Sequence, residues 1–234
     1  MKLSIIIPTY NEQNTLKRLL DYVQSVEFPI EHEIIIIDDA SIDRTFDKEF
    51  VTKNTGRTNS NIRIFNNRSN RGKGFSVRTG IKKARGDILI VQDADTEYSP
   101  HDIPKLIEPI IKGESAVVYG SRFLNNAHPG GMSFPCLFAN KFLTKLTNIL
   151  FGLKLTDMET CYKAFKTDII KTFNLKANRF SFEPEVTALL AKRRIGIKEL
   201  PITYHSRPPR EGKKIKARDF VFAVLMLFWQ RLTK

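Results

Sequence analysis

The chain has 234 residues, of which 41% are hydrophobic, enough to bury one sizeable core. Lysine and arginine number 38 against 25 acidic residues, and the formal net charge of +13 favours an anionic partner: a nucleotide, a nucleic acid or an acidic membrane surface. Only Cys136 and Cys161 carry thiols, without a CxxC pair or histidines at zinc-ligand spacing, which excludes a disulfide framework and a structural zinc site and fits a reducing compartment.

The apolar run Leu3 to Ile7 reads as a first strand; Pro8 stops it too early for a signal peptide, so a cytoplasmic protein is expected. Leu16, Leu19, Leu20, Val23 and Val26 follow at helical spacing, with Asn14 or Thr15 available as N-cap. Glu33 to Ile37 reads as a strand buried on both faces and ends in Asp38-Asp39. Ile62 to Phe65 is a weaker strand, Gly74 to Ala84 a helix, and Asp87 to Gln92 a strong strand ending at Asp93-Ala94-Asp95. Asp102 to Ile111 predicts a helix and Ala116 to Tyr119 a strand that runs into Gly120-Ser121-Arg122. The strand–helix rhythm then becomes irregular: Asn140 to Phe151, Glu183 to Arg194 and Ala217 to Leu232 read as helices, with loops at Gly130-Gly131 and Arg207-Pro208-Pro209-Arg210. The alternation predicts an α/β fold with a mainly parallel sheet covered by helices.

In such sheets ligands bind beyond the carboxyl ends of the strands, so Tyr10, Glu12, Asp39, Asp93, Asp95 and Arg122 are expected to converge on one crevice. Asp93 and Asp95 on one side of an extended segment, with Glu97 in phase, would form a row of hard oxygen ligands for Mg2+ or Mn2+, with a nucleoside diphosphate supplying further oxygens. Asp38-Asp39 could accept nucleotide hydroxyls, or Asp39 or Ser41 could cap a helix. Arg71-Gly72-Lys73-Gly74 is small and basic enough to approach a phosphate or base but has no Walker spacing.

Taken together, Ile7-Pro8-Thr9-Tyr10-Asn11-Glu12, Ile37-Asp38-Asp39-Ala40-Ser41-Ile42-Asp43-Arg44-Thr45, Gly72-Lys73-Gly74, Asp93-Ala94-Asp95 and Gly120-Ser121-Arg122 resemble the family-two glycosyltransferases. Thr156-Asp157-Met158-Glu159-Thr160-Cys161-Tyr162-Lys163, Phe180-Ser181-Phe182-Glu183-Pro184-Glu185 and Arg207 with Glu211-Gly212-Lys213-Lys214 look like the polyprenyl-phosphate (dolichyl-phosphate) mannose and glucose synthase branch.

The resemblance implies a single GT-A nucleotide-sugar-binding domain over 1–234 with a mixed, mainly parallel central sheet. Residues 1–122 would bind the nucleotide-sugar, 123–216 the acceptor, and 217–234 would form an apolar, basic helix. It implies base and ribose contacts from Pro8, Tyr10, Glu12, Ile37 and Asp39, and donor binding by Lys73. Asp93, Ala94 and Asp95 would hold the diphosphate and metal, with Glu97 a further oxygen ligand. Arg122 would face the reacting phosphates, and Arg207 and Lys213 would belong to a loop closing over the donor. Asp157 would orient acceptor-side groups; it or Glu159 would be a general base only for a hydroxyl acceptor, since a phosphate acceptor is already anionic. Glu183 suits a site role and a plain helix-cap role equally, with Pro184 at the first helical position and Glu185 a favourable first-turn charge.

Between Phe123 and Ala139 the chain has few of the basic or hydroxyl residues with which relatives meet a lipid phosphate; Asn140 and Lys141, at the start of a helix, are the expected substitutes. The implied reaction is inverting transfer of a hexose from UDP-glucose or GDP-mannose to polyprenyl or dolichyl phosphate. The alternative is transfer to a carbohydrate hydroxyl. A nonenzymatic nucleotide- or nucleic-acid-binding module is remote, because strand-end acids would repel a phosphate backbone and no helix-turn-helix, zinc-finger or RNA-binding aromatic signature occurs. The apolar run Phe220 to Trp229, bordered by basic residues, is too short to span a bilayer; it suits a cytoplasmic-face membrane interface, core burial, or a homodimer or membrane-subunit contact.

Overall fold

The computed structural model describes residues 1–47, 50, 61–125, 129–206 and 217–233. Strands β1 (Lys2–Thr9), β2 (Glu31–Asp38), β3 (Ile62–Asn66), β4 (Ile88–Val91), β5 (Val117–Ser121), β6 (Lys163–Lys166) and β7 (Lys198–Pro201) form one sheet in the order β3-β2-β1-β4-β6-β5-β7. The helices are α1 (Leu16–Gln24), α2 (Lys73–Lys83), α3 (Ile103–Ile111), α4 (Phe134–Phe151), α5 (Thr167–Lys171), α6 (Phe182–Lys192) and α7 (Ala217–Leu232). Isoleucine-rich β1 and β2 pair in parallel, with Ile5 to Ile7 opposite Ile34 to Ile36, and all six of these side chains are fully buried. Each contributes about 1.5–3 kcal/mol by leaving water.

Only β6 runs against its neighbours β4 and β5, while β1, β2, β3, β4, β5 and β7 point the same way. The carboxyl ends of those six strands therefore share one edge with the amino end of β6. That single reversal delivers Asp157 to Cys161, which precede β6, to the edge where Thr9, Asp38 and Val91 end their strands.

Strands β6 and β7 and helix α5 have no counterpart in the sequence reading. At the start of β6, Lys163 is fully buried, and β7 reads Lys-Glu-Leu-Pro, so neither shows strand periodicity. Helix α4 starts at Phe134 rather than Asn140, with Pro135 in its first turn, where a missing N–H is harmless. Pro184 is the third residue of α6 rather than the first.

Helix α7 is neither wholly buried nor wholly exposed. Ala223, Leu227 and Gln230 are buried, and the helix packs on α6 and α4, whereas Val221, Phe222, Leu225, Phe228, Trp229 and Leu232 face outward. Among the described residues no helix is long and apolar enough to cross a membrane.

Candidate active site

The strand ends surround a cavity of about 620 Å³, within the range typical of small-molecule sites. Pro8, Tyr10, Glu12, Asp39, Lys73, Asp93, Ala94, Asp95, Glu97 and Arg122 all line it, as the converging-loop argument requires. Ile37 and Asp157 do not: Ile37 is a fully buried core residue of β2, and Asp157 lies, also fully buried, behind Arg122. Arg207 and Lys213 fall outside the described residues.

The loops leaving β1 and β2 are laced together. Asn11 N–H donates to Ser41 Oγ at 3.0 Å, Ile42 N–H to Asn11 Oδ1 at 2.9 Å, and Glu12 N–H to Thr45 Oγ1 at 2.8 Å. Asn11 and Ala40 both hold positive φ, at 50° and 60°, a left-handed backbone that costs a non-glycine residue about 1–2 kcal/mol and is common at functional sites. Among the described residues Asp39 caps no helix. Its carboxylate accepts N–H from Arg71 at 3.0 Å and Gly72 at 2.6 Å and from Asn67 Nδ2 at 2.8 Å, which fixes the turn entering α2. Asp38 Oδ1 instead accepts Ser41 N–H at 2.9 Å.

At the start of α2 the backbone approaches segment 177–179 so closely that a Cβ on Gly74 would lie 2.4 Å from the Asn178 carbonyl oxygen. Gly74 and Phe75 donate N–H to Arg179 O and Asn178 O, both at 2.8 Å, and Glu185 accepts Lys176 and Ala177 N–H on the far side of that segment. Glu185 is thus a loop anchor. Glu183 faces the cavity, where Lys73 Nζ sits 2.8 Å from Asp93 and 3.0 Å from Glu183. Burial alone would lower the Lys73 ammonium, but the Asp93 and Glu183 carboxylates outweigh it and hold it well above the usual lysine range.

The extended acidic row is not observed. After β4 the chain bends: Glu97 N–H folds back onto Asp95 Oδ1 at 3.1 Å, a short aspartate-closed turn. Asp93 is drawn to Lys73, while Glu97 accepts the Tyr204 hydroxyl at 2.8 Å. Among the described residues no three acidic, histidine or cysteine side chains are grouped to hold an ion, so Asp93, Asp95 and Glu97 are not a preformed three-ligand cage.

Arg122 and Asp157 form a buried bidentate pair, Nε to Oδ2 at 2.7 Å and Nη2 to Oδ1 at 2.8 Å, and the Arg122 N–H also meets Oδ2 at 3.0 Å. Asn140 Oδ1 accepts Nη2 at 2.8 Å, and the guanidinium lies 5.3 Å from the Tyr204 ring centroid. Burial disfavours the charge, yet Asp157 more than offsets it and keeps Arg122 cationic. Asn140 therefore orients Arg122 from the second turn of α4 rather than from a helix start, and Lys141 is directed at the Phe123 ring, 5.8 Å away.

Sequence reasoning missed Tyr98, Arg179, Tyr204 and Arg218, which also line the cavity, because each follows or precedes an element that was not recognised or carries no strand-end signature. Tyr98 and Tyr204 pair through an isolated bridge, tying the segment after β4 to the one after β7.

Comparison with known proteins matches the family described as Glycosyl transferase family 2 over residues 4–173. The chain is 29% identical over 216 residues to the low-salt glycan biosynthesis hexosyltransferase Agl6 of Haloferax volcanii, covering 90% of this chain and 49% of that protein. It is 29% identical over 221 residues to the dolichol-phosphate mannosyltransferase of Pyrococcus furiosus, covering 91% and 59%. The chain thus spans about half to three-fifths of the length of these two relatives. Glucosyl-3-phosphoglycerate synthase from Mycobacterium tuberculosis, solved with Mn2+, uridine diphosphate and phosphoglyceric acid, superposes with a TM-score of 0.74 at 17% identity, over 100% of this chain and 79% of that one. That likeness bears out the expected GT-A fold. With the family match spanning most of its length and this sheet beneath it, the chain belongs to glycosyltransferase family 2.

Proposed function

We propose that the protein catalyses inverting transfer of a hexose from a nucleotide-sugar, UDP-glucose or GDP-mannose, to a polyprenyl or dolichyl phosphate. The observation that carries this reading is the mixed lining of the cavity, which joins the charged Asp93, Asp95, Lys73 and Arg122 with the apolar Met132, Leu143, Phe220 and Ala223, before and along α4 and α7. A charged headgroup with an apolar tail suits such a mixed lining. The lipid-phosphate relative from Pyrococcus furiosus supports the same acceptor class.

A phosphate oxygen of the acceptor would attack the anomeric carbon opposite the departing nucleoside diphosphate, giving a β-linked product from an α-linked donor. Being anionic, that oxygen requires no general base. Both Asp157 oxygens are engaged by Arg122, which favours this acceptor over a carbohydrate hydroxyl deprotonated by Asp157. Arg122, held rigid on three sides, and Lys73 would stabilise phosphate charge without reorganising. The hard oxygens of Asp93 and Asp95 fit Mg2+ or Mn2+ bound together with the diphosphate, since such ions are often held by one or two carboxylates plus substrate phosphates. The ion would neutralise charge on the leaving group. We also assign Pro8, Tyr10, Glu12 and Asp39 to the nucleoside end.

The decisive assay offers labelled UDP-glucose and GDP-mannose separately with polyprenyl phosphate, with Mn2+, Mg2+ or chelator. Metal-dependent label in the lipid phase is expected, with chelator lowering the rate at least about 100-fold. Label appearing only in water-soluble saccharide would transfer the assignment to the hydroxyl-acceptor reading.

The outward faces of α4 and α7 support an anionic membrane surface as partner. Phe134 and Phe138 are 78% and 71% exposed, Leu225 and Trp229 57% and 59%, and Phe142 bridges to Phe220 with ring centroids 5.6 Å apart. Exposed Lys141, Lys145, Arg218 and Arg231 flank this face. Phe222→Glu with Leu225→Glu is expected to weaken co-sedimentation with anionic vesicles about tenfold or more while sparing transfer to a short-chain, water-soluble polyprenyl phosphate. Undiminished vesicle binding would remove the membrane assignment. Loss of a concentration-dependent dimer in its place would make this face a contact between copies.

A further inference from the structure

Glu159 lines the cavity, yet neither the arginine clamp nor the acidic turn after β4 uses it. Its Oε1 is buried without a hydrogen-bond partner, an arrangement that is destabilising until something supplies one. The turn that carries it is unusually well fixed. Lys163, fully buried, donates from Nζ to the Met158 carbonyl at 2.7 Å and to the Thr160 carbonyl, the two peptide oxygens flanking Glu159, and lies 4.4 Å from the Tyr119 ring centroid. Met158 N–H donates to Thr144 Oγ1 at 3.0 Å and Cys161 N–H to the Tyr98 hydroxyl at 3.2 Å, so α4 and the segment after β4 hold both shoulders of the turn. A buried ammonium is thus applied to the backbone around a carboxyl group whose own oxygen is left open. Such an arrangement preorganises a ligand contact.

The neighbours define what that ligand is. Glu183 lines the same cavity, and burial first, then the Glu183 carboxylate, push Glu159 up towards its neutral acid form. A phosphate brought to Glu159 would meet carboxyl groups rather than a cation, because Arg122 is bonded to Asp157 and Lys73 to Asp93 and Glu183, and neither is bonded to Glu159. An uncharged sugar hydroxyl suffers no such repulsion, and a carboxyl group can both donate to it and accept from it.

We propose that Glu159 hydrogen-bonds a hydroxyl of the donor's hexose and thereby helps to select which sugar is transferred. The proposal rests on the nucleotide-sugar reading of the site and adds the residue that senses the sugar. Among hexoses that differ only in the orientation of one hydroxyl, a buried polar contact of this kind discriminates because the wrong epimer leaves the carboxyl oxygen unpaired.

Calorimetric titration separates the two claims. Wild type, Glu159→Gln and Glu159→Ala are titrated with UDP and GDP and with UDP-glucose and GDP-mannose, in Mn2+, and the steady-state constants are measured for the donor that wild type uses. All three proteins are expected to bind the matching nucleoside diphosphate within about twofold, which also reports that the variants are folded. Glu159→Ala is expected to bind the nucleotide-sugar roughly 10- to 100-fold more weakly, and Glu159→Gln, which keeps a donor and an acceptor, to recover most of it together with kcat. Unchanged nucleotide-sugar affinity in Glu159→Ala would overturn the proposal. So would normal binding with abolished kcat in Glu159→Gln, which would make Glu159 a general base. If wild type binds neither nucleoside diphosphate, the nucleotide-sugar reading itself fails, and this inference with it.

Discussion

Asp157→Ala is expected to lower the melting temperature by on the order of 10 °C and to reduce transfer at least about 100-fold. The pair it breaks is bidentate, with contacts of 2.7 and 2.8 Å, and its partners are 7% and 0% exposed. Removing one member of such a pair strands the other charge in a low-dielectric interior and costs about 3–5 kcal/mol. For a chain of this size each kcal/mol moves the midpoint by about 2–4 °C. The Arg122 N–H also loses its acceptor, so strand β5 loosens where it delivers the arginine to the cavity.

Asp157→Asn separates the roles. Its amide keeps the volume and one acceptor but presents an N–H group to a guanidinium that has only donors, so a positioning role predicts a fall in both stability and turnover. A general base would instead give a variant of wild-type melting temperature with kcat alone abolished. Differential scanning fluorimetry alongside the transfer assay distinguishes these outcomes, and the second would restore the hydroxyl-acceptor reaction.

The halves of the chain differ in legibility for a physical reason. Strands β1, β2 and β4 are buried on both faces, so Ile5 to Ile7, Ile34 to Ile37 and Ile88 to Val91 appear as continuous apolar runs, and the acids that end them mark the site edge. Strand β6 satisfies a buried lysine with the carbonyls of its own preceding turn, an arrangement no periodicity reveals. Ile37 belongs to the motif that identifies the family, but its fully buried side chain serves the core while its neighbours serve the site. The alternation of Asp93 and Asp95 predicts an extended acidic segment; the aspartate-closed turn at Asp95 wins because a side-chain acceptor two residues before a backbone N–H competes with the strand. The position of Asp39 at a strand end suits a ligand contact or a cap, and its three donors give it the further task of shaping the turn into α2.

Asp95→Asn is expected to lower kcat/KM about 100- to 1000-fold while moving the melting temperature by less than about 2 °C. The variant is informative because the amide oxygen can still accept the Glu97 N–H that closes the turn at 3.1 Å, so the fold of the segment survives while the charge is removed. Asp93 behaves differently. It shares Lys73 with Glu183, at 2.8 and 3.0 Å, and its loss disturbs a buried ion-pair network as well as the site. If the proposed ion binds jointly to carboxylate and diphosphate, Asp95→Asn should erase the gain in UDP or GDP affinity that Mn2+ confers on the wild type and leave metal-free nucleotide affinity within about twofold. Asp93→Asn should lower the metal-dependent affinity and the melting temperature together. Wild-type turnover by Asp95→Asn at saturating Mn2+ would remove Asp95 from the ion's ligands.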